Sequence, residues 1–288
     1  MAHAVRDRTL DGPHGPLGVR TYAPADGARV GLVWAHGGGF AGGDLDMPEA
    51  HWVAGQLADR GIAVVSVDYA LAPVPAGWTM PPAGHTRERV HYPLASEEVG
   101  FAFAWALSSG LADGPWALGG ASAGANLATG AALRLVHTGG PVPALVVLAY
   151  PTLQAVQPPA DAELRALLAA QPDADRFGAD VVRTMYENYL GGPLDAADAY
   201  AIPGIATTAQ LMGFPPVLMI NGEADELRMS GEAFARSLAA AGVAVDAVTE
   251  RGTQHGHLNR PAEPAASLSI ERIAARLHTL SPGDTSMR

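Results

Sequence analysis

Residues 115–136 read PWALGGASAGANLATGAALRLV, with Gly120-Ala121-Ser122-Ala123-Gly124 at the centre. An apolar run over 115–119 ends in glycine, a serine follows, and an amphipathic pattern opens at 123 and continues to 136. A buried strand that turns sharply into a helix has this form. A side chain at the bend is carried clear of both elements, and the small residues two positions on either side avoid collision with neighbouring backbone. Serine is also a common helix N-cap, so the string alone does not separate a nucleophile from a glycine-rich helix start.

The same alternation extends in both directions. Residues 30–35 (VGLVWA), 62–67 (IAVVSV), 144–149 (ALVVLA) and 216–221 (PVLMIN) are apolar at nearly every position, and a further strand is expected over 243–249. Strands covered on both faces have this pattern, as in a parallel sheet. Between them lie helix-period segments: Phe234, Leu238 and Ala241 recur at i, i+4, i+7, and Ile270, Ile273 and Leu277 at i, i+3, i+7. The expected architecture is α/β, a mostly parallel twisted sheet with helices on both faces. Two segments interrupt it. Residues 74–92 are rich in Pro and Gly and long for a connection, and residues 152–212 hold two helix-like stretches, DAELRALLAAQ and DVVRTMYENYL. The second is expected to be a helical cap insertion in a single domain spanning 1–288.

Composition narrows the chemistry. The 288 residues contain no cysteine and no lysine, so all 18 basic residues are arginine. Thiol nucleophiles, Cys-ligated metals, Schiff-base lysines and lysine-dependent P-loops are thereby excluded. The formal charge of −11 argues against a nucleic-acid partner, which needs a concentrated positive surface. The longest apolar stretch, 141–151, is about half of the ~20 residues that a membrane helix requires. With no apolar leader run in MAHAVRDRTLDG, a cytoplasmic protein is expected, and the composition leaves a homodimer open beside a monomer.

His36-Gly37-Gly38-Gly39-Phe40 follows the strand 30–35. Glycines there allow backbone N–H groups to approach a developing oxyanion, as acyl transfer requires. A rival exists, because Gly37-x-Gly39-x-x-Gly42 with Asp68 fits a dinucleotide fingerprint and hence an oxidoreductase. Against it, Asp44 and Asp46 would repel a pyrophosphate, and the helix pattern begins too late, near Met47.

A serine nucleophile needs a base, and the base needs an orienting carboxylate. Asp225 follows the strand 216–221, with Glu223 and Glu226 as competitors. His255 follows the strand 243–249, with His257 as competitor. The order Ser122, Asp225, His255 is that of hydrolases built on α/β sheets. His255-x-His257 with Asp225 also allows a metallohydrolase, although no further ligand spacing supports a metal. The remaining histidines, His3, His14, His51, His85, His91, His137 and His278, read as surface residues.

HGGGF at 36–40, DYALAP at 68–73, GGASAGANLA at 119–128, YP at 150–151, Asp225-Glu-Leu and His255-Gly together resemble the hormone-sensitive-lipase-like carboxylesterases (bacterial family IV type) of the α/β-hydrolase superfamily, over roughly residues 17–280. The resemblance implies an α/β-hydrolase fold, Ser122 as nucleophile, His255 as general base and acid, and Asp225 as orienting acid. It implies oxyanion donors in Gly37, Gly38 and Gly39, with the N–H groups of Gly38 and Gly39 foremost, and in Ala123. It also implies no cofactor and small-molecule esters of short to medium acyl chain. An amidase, carbamate or lactone hydrolase would use the same groups, and a non-catalytic receptor on the same fold would keep the sheet without the reaction. The chain departs from the family in its short N-terminus of 35 residues before HGGG, its long 74–92 segment, Glu226 after the acid, and His257 two after the histidine. Substrate contacts are expected from Phe40, Trp78, Met185, Tyr186, Tyr189 and His257. Trp78, Met80 and Tyr92 of the long segment are expected to fold over the acyl site.

Overall fold

Hydrophobic residues on both sides of a strand need cover on both sides, and the computed structural model, which describes residues 2–80 and 87–281, supplies it with helices. Eight strands form one sheet in the order β1-β2-β4-β3-β5-β6-β7-β8: β1 (His3–Gly12), β2 (Gly15–Pro24), β3 (Val30–Ala35), β4 (Ile62–Asp68), β5 (Trp116–Ala121), β6 (Val146–Ala149), β7 (Val217–Ala224) and β8 (Val245–Gln254). The pairs from β4 through β3, β5, β6 and β7 to β8 are parallel, while β2 pairs antiparallel with both β1 and β4.

In β3 all six residues are buried, but alternate ones serve different layers. Leu32 and Trp34 pack with Val53 and Leu57 of α1 (Pro48–Ala58) and with Ile270, Ile273 and Leu277 of α8 (Pro264–His278). Val33 and Ala35 face the other way, into the layer built from α2 (Leu94–Ala106), α3 (Ala123–Thr138) and α7 (Arg228–Ala240), through Phe103, Leu127, Phe234 and Leu238. The period of two thus sorts the continuous apolar runs into two cores. Burying one such leucine contributes about 1.5–3 kcal/mol.

Between β6 and β7 the chain leaves the sheet and forms α4 (Ala162–Ala170), α5 (Ala179–Leu190) and the short α6 (Thr208–Leu211). Asp161 caps α4 by accepting the Leu164 N–H at 2.8 Å, and Gly191 ends α5 in the left-handed conformation. Among the described residues, no helix is long and apolar enough to cross a membrane.

The topology also positions the site. β3 is flanked by β4 on one side and β5 on the other, so the loops leaving β3 and β5 diverge. Ala35 and Gly120 are paired at that point. A crevice opens there at the carboxyl ends of the strands, the usual place for ligands in open α/β sheets.

Candidate active site

Ser122 sits between β5 and α3 with φ 52° and ψ −118°, a region L-residues enter at a cost of about 1–3 kcal/mol. Surrounding bonds hold it there. Its N–H donates to the Ala149 carbonyl at 2.9 Å, and its carbonyl accepts from Ala125 and Asn126 at 3.1 and 3.2 Å. The flanking glycines are required sterically. A Cβ on Gly124 would lie 2.2 Å from the carbonyl oxygens of both Ala35 and His36, and one on Gly120 would lie 2.5–2.6 Å from the Gly124 backbone and the Ala35 oxygen.

The turn directs Ser122 Oγ to His255 Nε2 at 2.9 Å, and His255 Nδ1 lies 2.8 Å from Asp225 Oδ2. A carboxylate only accepts, so Nδ1 carries the proton and Nε2 is left to accept the serine O–H. The other Asp225 oxygen accepts the Leu227 N–H at 3.0 Å. Asp225 is fully buried, and Ser122 and His255 are 7% and 8% exposed, so the relay meets the cavity at its serine and histidine while its carboxylate is shut away. The competing acids point elsewhere. Glu223 accepts the Gly252 N–H at 2.8 Å, and Glu226 accepts the Phe177 N–H at 2.5 Å. Arg260 braces the histidine loop, donating to the carbonyls of Gln254, His255 and Gly256 while pairing with Glu263.

The loop after β3 folds into a tight turn in which the Gly38 carbonyl accepts from Ala41 and Gly42 at 3.1 and 2.9 Å. Gly38 has φ 121°, and a Cβ there would meet the Gly42 oxygen at 2.0 Å. His36 is structural. Its ring stacks on Tyr69 at 4.4 Å, its Nδ1 donates to the Gly37 carbonyl at 2.7 Å, and Tyr69 Oη donates to the His36 carbonyl at 2.7 Å. Arg89, from the long 74–92 segment, donates to the Ala41 and Ala72 carbonyls at 2.8 and 2.7 Å and so fastens this loop to the DYALAP loop. The Gly37 N–H is already committed, donating to Glu49 Oε1 at 2.6 Å. Gly37 therefore drops out as an oxyanion donor. The N–H groups of Gly38 and Gly39 make no hydrogen bond among the described residues. Ala123 opens α3, where the first N–H groups have no intrahelical partner.

A cavity of about 440 Å³ lies over Ser122, lined by Gly38, Gly39, Met47, Glu49, Trp78, Met80, Arg176, Phe177, Met185, His255, Gly256, Asn259 and Arg260. Trp78 and Met80 come from the long segment, and Arg176, Phe177 and Met185 from residues 152–212. Four expected substrate contacts do not line it. Phe40 is fully buried, its ring stacked 4.1 Å from Tyr189 and tilted against Tyr186. Tyr186 is locked beneath the site with Oη accepting from Asn126 at 2.8 Å. These three rings prefer one another to solvent and form the packed support of the cavity. His257 faces α8, with Nε2 2.8 Å from Ser269 Oγ, so it approaches neither substrate nor a shared metal with His255. Tyr92 also packs away from the cavity, its Oη donating to Asp198 at 2.8 Å. His85 lies outside the described residues.

Two rival readings also meet physical obstacles. Gly42 ends a turn while α1 starts only at Pro48, so no fingerprint glycine opens a helix where a pyrophosphate would bind. Among the described residues, no group of three or more His, Asp or Glu is arranged to hold a metal.

Several residues take up places around the site that no sequence pattern assigned to them. Glu49 reads as an ordinary first-turn acid of α1, yet it is 1% exposed and lies in the cavity wall. The rings of Tyr150 and His255 meet edge to face at 5.0 Å, and Phe177 tilts against His255 at 4.5 Å. Glu226, visible only as a departure from the family pattern, holds the Phe177 backbone and so connects the acid loop to the insertion.

Comparison with known proteins agrees with this geometry. A family described as alpha/beta hydrolase fold matches residues 32–259. The carboxylic ester hydrolase LipN of Mycobacterium tuberculosis is 33% identical over 268 residues, 88% of this chain and 64% of LipN, so the chain spans less than two thirds of that relative. An ethyl acetate hydrolase of Pseudomonas putida is 32% identical over 282 residues, 91% of this chain and 79% of the relative. Among solved structures, an esterase of Pyrobaculum calidifontis superimposes with a TM-score of 0.80 at 33% identity, covering 97% of this chain and 86% of that one. The chain belongs to the alpha/beta hydrolase fold family, as its resemblance to the hormone-sensitive-lipase-like carboxylesterases implied.

Proposed function

We propose that the protein is a carboxylic ester hydrolase in which Ser122 is the nucleophile, His255 the general base and acid, and Asp225 the orienting carboxylate. The observation that carries this reading is the continuous relay from Ser122 Oγ through His255 to Asp225, at 2.9 and 2.8 Å, on the floor of a cavity. Ser122 Oγ attacks the ester carbonyl carbon as its proton passes to His255 Nε2, giving a tetrahedral oxyanion. Collapse expels the alcohol, which takes the proton from His255, and an acyl-enzyme remains. Water, deprotonated by His255, then attacks the acyl carbon and releases the acid with Ser122 restored. Asp225 keeps the imidazole in the tautomer that accepts from serine and stabilises the imidazolium.

The oxyanion is received by the N–H groups of Gly38, Gly39 and Ala123. The first two sit on a turn that exposes their donors, and the third lies at the start of a helix, where the dipole favours negative charge. The acyl group occupies the space beside Trp78, Met47, Met80 and Met185, whose apolar lining and size suit short to medium chains. The named activity of the Pseudomonas putida relative, ethyl acetate hydrolysis, supports the short end of that range. The test compares p-nitrophenyl acetate and butyrate hydrolysis by the natural protein and by Ser122→Ala. The variant is expected to fold and to lose roughly 10⁴–10⁶-fold in kcat. Full activity in it would refute the mechanism.

A further inference from the structure

The mechanism above leaves a buried carboxylate beside the nucleophile unused. Glu49 occupies the second position of α1 and is 1% exposed. Its Oε1 accepts the Gly37 N–H at 2.6 Å, and its Oε2 accepts the Tyr150 O–H at 2.5 Å and the Asn259 side-chain N–H at 3.1 Å. Asn259 Oδ1 in turn accepts the Glu49 N–H at 3.1 Å. These partners stand on the loops that follow β3, β6 and β8.

Burying an ion costs several kcal/mol unless fixed donors replace its water. Burial holds the Glu49 carboxyl above the usual carboxylate range, and the bonds from Tyr150, Gly37 and Asn259 offset part of that rise. All three partners donate, as an ionised carboxylate requires, and the α1 N-terminus favours the negative charge. The carboxylate also lies against the reacting centre. A Cβ built on Gly37 would sit 2.6 Å from Glu49 Oε1 and 3.0 Å from Ser122 Cβ, so the glycine lies close against both the acid and the nucleophile.

We propose that Glu49 is a positioning residue of the ester hydrolysis: it fixes the Gly37 amide, and with it the direction of the Gly38 and Gly39 N–H groups, and ties that turn to Tyr150 and Asn259 beside His255. The proposal rests on the reading of Ser122 as nucleophile. Glu49 acts through the turn, since its own oxygens are acceptors and offer nothing to an oxyanion.

Three variants test it. Glu49→Ala removes the acceptor, Glu49→Asp withdraws it by one methylene, and Glu49→Gln keeps an oxygen for the Gly37 N–H. Each is assayed for kcat and KM on p-nitrophenyl butyrate and for affinity toward phenylboronic acid. That probe reports the oxyanion donors directly, because Ser122 Oγ adds to boron, passing its proton to His255, and forms a tetrahedral anion. The Ala and Asp variants are expected to lose roughly 10–100-fold in kcat, less than the roughly 10²–10³-fold cost of deleting an oxyanion donor outright. Boronic-acid affinity should fall by the same factor as kcat/KM, with KM within about threefold of the natural value, as for an interaction made in the transition state. Glu49→Gln should recover most of the loss. If Glu49→Ala fails to fold, the Asp and Gln variants decide.

The proposal is overturned by natural kcat in the Ala or Asp variant. A kcat loss with unchanged boronic-acid affinity, or a Gln variant as impaired as the Ala or Asp one, overturns it equally. If the natural protein neither hydrolyses the ester nor takes up the boronic acid, the Ser122 reading itself fails and this proposal with it.

Discussion

Replacing His257 with glutamine tests a consequence of burying a histidine two residues from His255, the proposed general base. His257 is fully buried, Nε2 lies 2.8 Å from Ser269 Oγ, and Nδ1 has no hydrogen-bond partner among the described residues. Burial, then the Arg260 guanidinium and His255, push its pKa from the ordinary 6.5 down to about 4. The unfolded chain therefore takes up this proton as pH falls below 6.5, while the folded chain resists until about 4. Within that window stability drops with falling pH. At 1.36 kcal/mol per pH unit, the loss relative to neutral pH is about 2 kcal/mol by pH 5 and about 3 kcal/mol by pH 4. Glutamine can still hydrogen-bond Ser269 but does not titrate. Urea unfolding of both proteins at pH 7, 5 and 4 should show the variant somewhat less stable at neutral pH, by about 1 kcal/mol for lost packing and hydrogen bonding. That gap should close and reverse by pH 4. A free-energy difference that stays constant within about 0.5 kcal/mol from pH 7 to 4 would refute the reasoning.

Other perturbations follow from the same contacts. Gly124→Ala drives a methyl against two backbone oxygens at 2.2 Å, so it should cost at least about 1–3 kcal/mol in thermal or urea unfolding and remove most activity by displacing Ser122. Met185→Ala enlarges the cavity beside Ser122 where the acyl group is proposed to bind, and the kcat/KM ratio for p-nitrophenyl hexanoate over acetate should rise roughly 10-fold or more, since one methylene is worth about 1–3 kcal/mol. Glu226→Ala frees the Phe177 N–H, which should cost about 1–3 kcal/mol in stability and raise KM more than it lowers kcat, seen in steady-state kinetics.

How far the sequence reveals this molecule depends on the range of the interactions. Strands β3, β4, β6 and β7 are visible because parallel strands covered on both faces leave uninterrupted apolar runs, and Ser122 is visible because its turn tolerates little except glycine around it. The hairpin of β1 and β2 left no comparable trace. β1 is an edge strand whose residues 4–9 are all exposed, and in β2 one of the inward positions Leu17, Val19 and Thr21 is polar while Gly18 and Arg20 stand between them. The expected contacts from Phe40, Tyr186 and Tyr189 fail for a related reason. Aromatic side chains near a site complete a core as readily as they meet a ligand, and only their mutual distances decide. Glu49, Tyr150 and Asn259 converge across separations of 101 and 210 residues in the chain, which no local pattern records. Glu226 stands out against the family pattern, but the Phe177 amide it holds becomes visible only once the insertion is folded.

Labelling with a fluorophosphonate, followed by digestion and mass mapping, tests the central claim most directly. Ser122 Oγ should displace fluoride at phosphorus, leaving one phosphonyl group per chain on the Ser122 peptide, with p-nitrophenyl butyrate hydrolysis lost in proportion to labelling and no label on Ser122→Ala. Hydrolysis that persists after Ser122 is fully labelled, or label confined to another residue while activity disappears, would contradict the mechanism.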